Sequence, residues 1–89
     1  AALLVLPARM TAMIRDVWVL QYYLEQRRAR RIFRIAEDRY FRAAFDFLEM
    51  REGLGEPLEK PLKWWKKFQH VSDEERDAMV AALEKKPRK

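Results

Sequence analysis

An apolar stripe at helical spacing, which runs into arginines, constrains the fold of this chain most. The stripe consists of Met10, Met13, Val17, Leu20 and Leu24, separated by three or four positions, the spacing of one face of an amphipathic helix. At about 100° per residue, the same face continues through Arg27, Arg31 and Arg34. A straight helix would bury these arginines without partners, which is energetically costly. We therefore predict a break near residues 27–30, followed by a short second helix that ends near Glu37.

Candidate N-cap residues precede three of the predicted helices: Thr11, Asp38 and Ser72. Their side-chain oxygens can accept hydrogen bonds from the first backbone N–H groups of a helix. Ser72 also has Glu75 three positions later, as in a capping box. Pro61 suits the first turn of another helix, and the glycines at 53 and 55 separate that helix from the one before it.

These signals predict an all-α fold, a small bundle of four to five short helices in a single domain. We expect helices at about residues 11–28, 30–37, 39–52, 61–69 and 73–85. No stretch bounded by turns alternates apolar and polar residues as a half-buried strand would. The predicted core consists of Val17, Trp18, Phe41, Ala44, Phe45, Leu48, Trp65 and Phe68.

The positive charge of the chain is concentrated in the arginine-rich segment, residues 27–42. This segment has seven arginines against two carboxylates, a net charge of +5 that equals the net charge of all 89 residues. A local excess of this kind is typical of surfaces that bind phosphates. On charge alone, a solvated helix face explains the segment equally well.

The sequence offers no candidate catalytic residues and no candidate metal ligands. It has no cysteine, and its one histidine, His70, cannot form a metal site without help from carboxylates. Neighbouring carboxylates such as Glu74 and Glu75 point in different directions on a helix, which suits a shared metal poorly. No apolar run approaches the roughly 18 residues of a membrane span. Because the sequence begins with Ala1 and not with methionine, we expect it to be part of a longer protein.

Three motifs follow one another along the chain. They consist of Ile14, Arg15, Asp16, Trp18, Leu20 and Gln21; Phe41, Arg42, Ala43, Ala44, Phe45 and Asp46; and Trp64, Trp65, Phe68 and Gln69. In this order and with similar gaps, they resemble the arginine-rich C-terminal region of bacterial poly(A) polymerases. The resemblance covers roughly residues 5–80. The chain departs from the family pattern in having "EDRY" where a His-Pro pair is usual and only "KKPRK" in place of a long basic extension.

The resemblance implies that the parent protein is a class II nucleotidyltransferase that adds AMP from ATP to RNA 3′ ends. ATP and magnesium would be bound by an N-terminal catalytic head, which these 89 residues do not include. The chain would then be a non-catalytic, RNA-binding C-terminal domain, without a cofactor of its own and inactive alone. Its expected partners are single-stranded RNA, bound independently of sequence, and the N-terminal portion of the same parent chain, in the cytoplasm.

Basic side chains are the candidate RNA-binding residues, because the arginine guanidinium is a fixed fork of donors that matches phosphate oxygens. The candidates are Arg27, Arg28, Arg30, Arg31, Arg34, Arg39, Lys63, Lys66 and Lys67. Trp64 and Trp65 are adjacent and cannot both face inward, which leaves one of them as a candidate for stacking on a base.

Two other roles remain open for the chain. It could be a purely structural helical domain, or a protein-docking module, in both cases without RNA affinity of its own. Two neighbouring charge pairs, Arg15 with Asp16 and Arg42 with Asp46, are expected to form structural ion pairs or a buried polar link between helices.

Overall fold

The computed structural model describes residues 7–84, which form five α-helices and one turn of 3₁₀ helix. The all-α prediction is confirmed, and the described residues contain no strand. None of the described helices is both long and apolar enough to cross a membrane. The elements are α1 (Ala8–Gln26), the 3₁₀ turn (Ala29–Arg31), α2 (Ile32–Ala36), α3 (Phe41–Gly53), α4 (Glu59–His70) and α5 (Asp73–Glu84).

The first helix begins three residues before the predicted start. Pro7 precedes it in an extended conformation, and the Pro7 carbonyl accepts hydrogen bonds from the N–H groups of Met10 and Thr11, each at 3.0 Å. Thr11 is therefore not an N-cap: it lies inside α1, and its hydroxyl donates back to the Pro7 carbonyl at 3.3 Å. The proline provides the first carbonyl of the helix and needs no hydrogen-bond partner for an N–H group of its own.

The predicted break after the first helix is confirmed, and it falls at Arg27. This residue adopts the left-handed conformation, with φ 49° and ψ 55°, and its N–H donates to the Tyr23 carbonyl at 3.1 Å. The left-handed region is uncommon for residues other than glycine, asparagine and aspartate. The chain then runs through the 3₁₀ turn into α2, so that Ile32 and Ile35 are buried.

The third helix begins later than the Asp38 cap predicts. Asp38 Oδ1 accepts a hydrogen bond of 2.9 Å from the N–H of Tyr40, only two residues ahead, and α3 begins at Phe41. Aspartate competes for nearby N–H groups in turns as well as in helix caps. Here the side chain stabilises the turn that precedes the helix.

Side-chain hydrogen bonds cap both helix ends at the junction between α4 and α5. The N–H of Glu75 donates to the Ser72 hydroxyl at 3.2 Å, which confirms the predicted cap of α5. Arg76 donates from Nε to the Phe68 carbonyl at 2.8 Å and from Nη2 to the Gln69 carbonyl at 3.1 Å. These carbonyls belong to the last turn of α4, where they have no partner within the helix. Arg76 therefore fixes the direction in which α5 leaves α4.

The core lies where the second half of α1 meets α2, α3 and α4. Val17 packs half-buried against it. The prediction that Trp18 belongs to the core is wrong, because its side chain is 58% exposed and only meets Phe47 edge-on at 5.2 Å. The buried apolar residues are Leu20, Leu24, Ile32, Ile35, Phe41, Ala44, Phe45, Leu48, Leu58, Trp65 and Phe68.

The position of Trp18 follows from the shape of the domain, which measures 52 × 27 × 27 Å. None of the first twelve residues of α1 is buried, and the first buried residue of the helix is Leu20. The first half of α1 therefore has a helical apolar face but little core to cover it.

A buried polar link joins α1 to α3. Gln21, which is 3% exposed, donates from Nε2 to the Ala44 carbonyl at 2.9 Å and accepts from Arg51 Nη1 at 2.9 Å. Arg51 also lies 3.0 Å from a carboxylate oxygen of Glu25 and 2.8 Å from one of Glu56. The hydrogen bond between Arg51 and Glu56 raises the pKa of the arginine and lowers the pKa of the carboxyl. Both polar atoms of the Gln21 side chain thus have partners, as burial requires.

Candidate nucleic-acid interface

Three arginines between the end of α1 and the middle of α2 face solvent. Arg28, Arg30 and Arg34 are exposed, and within residues 7–84 none of them forms a salt bridge. The left-handed residue at position 27 turns the chain away from the axis of α1, so these side chains are not drawn into the core. They are positively charged groups whose hydrogen-bond donors are available to an anion.

Arg27 and Arg31 are placed differently from the other arginines of the turn. Both are half-buried, and the Nε atom of each is buried without a hydrogen-bond partner among the described residues. Burial lowers the pKa of Arg27. The guanidinium of Arg31 lies over the ring of Tyr23, with its central carbon 5.1 Å from the ring centroid, a distance typical of a cation–π contact. These two side chains form the inner wall of the turn.

The arginines line two separate clefts. The α1–α2 cleft has a volume of about 240 Å³. The larger and more open α1–α5 cleft has a volume of about 590 Å³ and is lined by Gln26, Arg27, Arg28, Ala29, Arg30, Leu83 and Glu84. The α1–α2 cleft is lined by Asp16, Val19, Leu20, Tyr23, Arg31, Arg34, Ile35 and Asp38.

The other candidate RNA-binding residues line neither cleft. Arg39 is exposed, with its guanidinium over the Tyr40 ring at 5.1 Å. On α4, Lys63 lies 3.0 Å from a carboxylate oxygen of Glu59 and Lys66 lies 4.0 Å from one of Glu49. Lys67 is exposed, without a salt bridge in the described part of the chain. The structure therefore brings Arg27, Arg28 and Arg30 together, and Arg31 with Arg34, but the lysines of α4 line neither of these clefts.

The two adjacent tryptophans of α4 differ in burial, because neighbouring helix positions point in different directions. Trp65 is fully buried, whereas Trp64 is half-buried and stacks on Phe68, with ring centroids 5.1 Å apart and an interplanar angle of 12°. One face of the Trp64 ring is thus covered by protein. The most exposed aromatic side chains of the described residues are instead Trp18 and Tyr22, at 58% and 54%.

Only one of the two predicted ion pairs forms. Arg42 and Asp46 lie 3.4 Å apart, but both are exposed, so the pair is a surface contact of small energetic value. Arg15 and Asp16 do not pair, since no salt bridge within residues 7–84 includes either of them. Asp16 lines the α1–α2 cleft. As the next residue along the helix, it is rotated by about 100° around α1 from Arg15.

The exposed face of α1 carries an apolar stripe, which sequence reasoning assigned in part to the core. Its members are between 37% and 58% exposed. We refer to Met10, Met13, Ile14, Trp18 and Tyr22 as the α1 apolar stripe. Elsewhere on the described surface, Met50 and Leu54 are also exposed, at 53% and 80%.

Comparison with known families identifies the chain. Residues 1–89 match the family model described as "Polymerase A arginine-rich C-terminus". The chain belongs to this family. It is 35% identical over 86 residues to poly(A) polymerase I of Salmonella typhimurium, and 33% identical over 86 residues to that of Escherichia coli O157:H7. It is 40% identical over 88 residues to poly(A) polymerase I of Haemophilus influenzae.

These alignments include 93–94% of the chain but only 18–19% of each relative. The chain therefore spans about a fifth of the length of the curated relatives it matches. It corresponds to the arginine-rich C-terminal region that gives the family its description.

Several residues that carry the resemblance to this C-terminal family hold the helices together. Gln21 of the first motif bonds to the carbonyl of Ala44 in the second. Arg42 of the second donates to Gln69 Oε1 of the third at 3.4 Å, and Trp65 of the third donates to the Leu24 carbonyl at 2.8 Å. These contacts connect α1, α3 and α4. The exposed arginines of the turn take no part in them, so packing does not explain why those positions are arginine.

Proposed function

We propose that this chain is the RNA-binding C-terminal domain of a poly(A) polymerase, an enzyme that adds AMP from ATP to RNA 3′ ends. The similarity to poly(A) polymerase I of three bacteria supports the parent activity. One observation supports the role of this part: Arg28 and Arg30 on the turn and Arg34 on α2 are exposed, and none of them forms a salt bridge with a carboxylate of the described residues.

The turn suits the phosphates of an RNA strand better than its bases. A guanidinium donates two parallel hydrogen bonds to two phosphate oxygens, and it keeps its charge at any physiological pH. Contacts of this kind hold and position a strand without reading its sequence. Because Arg28 and Arg30 border the same open cleft, one strand could contact both of them at successive phosphates.

RNA bound at this turn would stay close to the rest of the polymerase. A tether between a binding module and a catalytic site raises the local concentration of substrate at that site. ATP and magnesium would be bound by the catalytic portion of the parent, and this domain would contribute affinity for RNA. An enzyme with these substrates would act in the cytoplasm.

Fluorescent single-stranded oligonucleotides, titrated at two salt concentrations, test this proposal. The double variant R28Q/R30Q should bind every oligonucleotide more weakly than the wild type. The slope of log affinity against log salt should also become flatter, by about 0.7 for each phosphate that the variant no longer binds. Glutamine is a good helix former, and circular dichroism should show the helices unchanged.

The matched control is R9Q/R15Q, which removes the same charge from two exposed positions on the first half of α1. Its RNA affinity should stay close to that of the wild type. Equal decreases of affinity in the two double variants would show that only net charge matters. Equal affinities in all three proteins would contradict the RNA-binding role of the turn.

The α1 apolar stripe supports a second role, attachment to the catalytic portion of the same parent polymerase. A contiguous apolar surface with a polar surround is typical of an interaction site. The relatives are about five times longer than this chain, and the stripe lies on the first helix, where its side chains remain exposed among the described residues. We infer that the preceding portion of the parent chain packs on it.

The double variant I14K/W18K tests this attachment in two proteins, the 89-residue chain and the full-length parent. Both side chains are exposed in the chain alone, at 40% and 58%, so its unfolding temperature should change little. The unfolding temperature of the parent should fall. M50K/L54K, which changes two exposed apolar residues outside the stripe, should affect neither protein. If I14K/W18K leaves the parent unchanged, the stripe is not the attachment surface.

A further inference from the structure

The α1–α2 cleft is lined by both apolar and oppositely charged side chains. Val19, Leu20 and Ile35 line it together with the ring of Tyr23. Its volume of about 240 Å³ corresponds to about eight water molecules at the roughly 30 Å³ that each occupies in the liquid. A flat group of the size of a nucleobase fits such a space, with its faces against apolar side chains.

The charges of the cleft do not neutralise one another. Two arginines, Arg31 and Arg34, and two aspartates, Asp16 and Asp38, line the same small space. No nitrogen of either arginine lies within 4.0 Å of a carboxylate oxygen of the described residues. Opposite charges held apart in this way can bind a ligand that presents an anion at one end and hydrogen-bond donors at the other.

The side chain of Arg31 is already ordered in the absence of a ligand. Its guanidinium lies over the Tyr23 ring, and its Nε atom is buried without a hydrogen-bond partner among the described residues. A side chain that is already ordered loses less conformational entropy on binding.

The aspartates differ in how free they are to bind. Asp38 Oδ1 already accepts a hydrogen bond from the N–H of Tyr40. Asp16 makes no side-chain hydrogen bond and no salt bridge within residues 7–84, and it is half-buried on α1. Asp16 is therefore the carboxylate available to a ligand in the cleft.

We propose that the α1–α2 cleft binds one nucleotide of a single-stranded RNA, with a phosphate on Arg31 and Arg34 and the base edge against Asp16. This site rests on the proposed RNA-binding function and adds base selectivity to it. A carboxylate accepts hydrogen bonds, so it favours a base edge that bears an amino group, such as N4 of cytosine. Uracil has a carbonyl oxygen at the same position, which a carboxylate repels. In RNA this edge is free to bond to a protein only where the base is unpaired, as in a single strand.

Oligo(C) and oligo(U) of equal length are the probes, because their bases differ in that group at C4. At neutral pH and moderate salt, wild type should bind oligo(C) about tenfold more tightly than oligo(U), within the range expected for one base-edge contact. D16N keeps the shape of the side chain but presents both a donor and an acceptor, so its ratio should fall close to one. D77N removes the same charge from an exposed position on α5 and should keep the tenfold ratio.

The outcomes separate this site from the proposed function. Equal binding of oligo(C) and oligo(U) by wild type, with steep salt dependence, would overturn the nucleotide site and leave phosphate binding by the turn intact. A preference that persists in D16N would also overturn the site, because the selectivity would then arise elsewhere. Absence of binding to either oligonucleotide at low salt would overturn both the site and the RNA-binding function. A tenfold ratio that disappears in D16N and persists in D77N supports the site.

Discussion

The indole nitrogen of Trp65 donates a hydrogen bond of 2.8 Å to the carbonyl oxygen of Leu24, and both residues are fully buried. In a continuous helix that carbonyl would accept from the N–H of Arg28. Because α1 ends at Gln26, the carbonyl lacks a partner within the helix, and α4 provides one. The side chain of Trp65 thus stabilises the end of α1 from which the arginine turn departs.

Replacing Trp65 by phenylalanine should lower the free energy of unfolding by about 1–3 kcal/mol beyond the effect of poorer packing, because the Leu24 carbonyl stays buried without a donor. Urea denaturation measures this. W64F is the matched control, and its effect should be smaller because Trp64 is half-buried and packs mainly through stacking on Phe68. Equal effects of the two substitutions would contradict a role for the hydrogen bond.

The left-handed backbone at Arg27 should reverse the usual ranking of alanine and glycine. In a helix interior, glycine is about 1 kcal/mol less favourable than alanine, and A43G at an exposed position of α3 should show this decrease in stability. At position 27, with φ 49°, alanine carries the penalty of the left-handed region and glycine does not. R27G should therefore be more stable than R27A in urea denaturation, by about 1 kcal/mol. A lower stability of R27G would show that the turn adopts another conformation.

The contrast between Phe45 and Trp18 should appear in their alanine variants. Phe45 is 4% exposed, and truncation of such a core aromatic costs about 3–5 kcal/mol. Trp18 is 58% exposed, so W18A should cost much less in the isolated chain. Thermal unfolding of the two variants, compared with wild type, provides the measurement. A larger destabilisation by W18A than by F45A would show that Trp18 belongs to the core.

The sequence was sufficient to predict those features of the fold that depend on local pattern. The conflict between the stripe of α1 and Arg27, Arg31 and Arg34 correctly predicted the break, because the helical period alone decides which side chains share a face. The period does not show how far along a helix the core extends. For that reason Trp18, which has a core-like position in the pattern, lies on the exposed half of α1.

The sequence could not predict the features that depend on residues far apart in the chain. Gln21 meets Ala44 and Arg51, which are 23 and 30 positions away, and no local pattern marks this link. The α1–α2 cleft likewise combines Asp16 with Arg34 only after the chain reverses at Arg27. The exposed arginines could be anticipated as a charged segment, but their division between two clefts could not.

Acid should weaken the contact between Arg51 and Glu56. The hydrogen bond from Arg51 lowers the pKa of Glu56 below its ordinary value of 4.5, so the folded state binds the proton less tightly than the unfolded state. The contribution of this pair to stability is therefore present above about pH 4.5 and disappears as the pH falls through the lower pKa of the folded state. The stability difference between wild type and E56Q should shrink toward zero as the pH falls from about 6, through 4.5 and then through the lower pKa of Glu56 in the folded state.

At a pH of about 6, high salt should also reduce the stability difference between wild type and E56Q. Glu56 lies at the surface, where salt screens its charge. E59Q is a suitable control because Glu59 also pairs with a cation at the surface, Lys63, but its contact joins neighbouring turns of one helix. A difference between wild type and E56Q that is independent of pH would show that the hydrogen bond does not depend on the charge of Glu56.

The isolated chain should not transfer AMP from ATP to RNA. Metal-assisted transfer of a nucleotide needs acidic ligands that converge on the metal and the phosphates. Within residues 7–84 no three His, Cys, Asp or Glu side chains come together in such a group, and the sequence outside this range, "AALLVL" and "KKPRK", contains none of these residues. With labelled ATP, magnesium and an RNA oligonucleotide, the chain should incorporate no more label than a protein-free control. The full-length poly(A) polymerase of a relative serves as the positive control. The contrary result is incorporation that co-purifies with the 89-residue protein and disappears in D16N or another carboxylate variant. It would show that this domain contains catalytic residues.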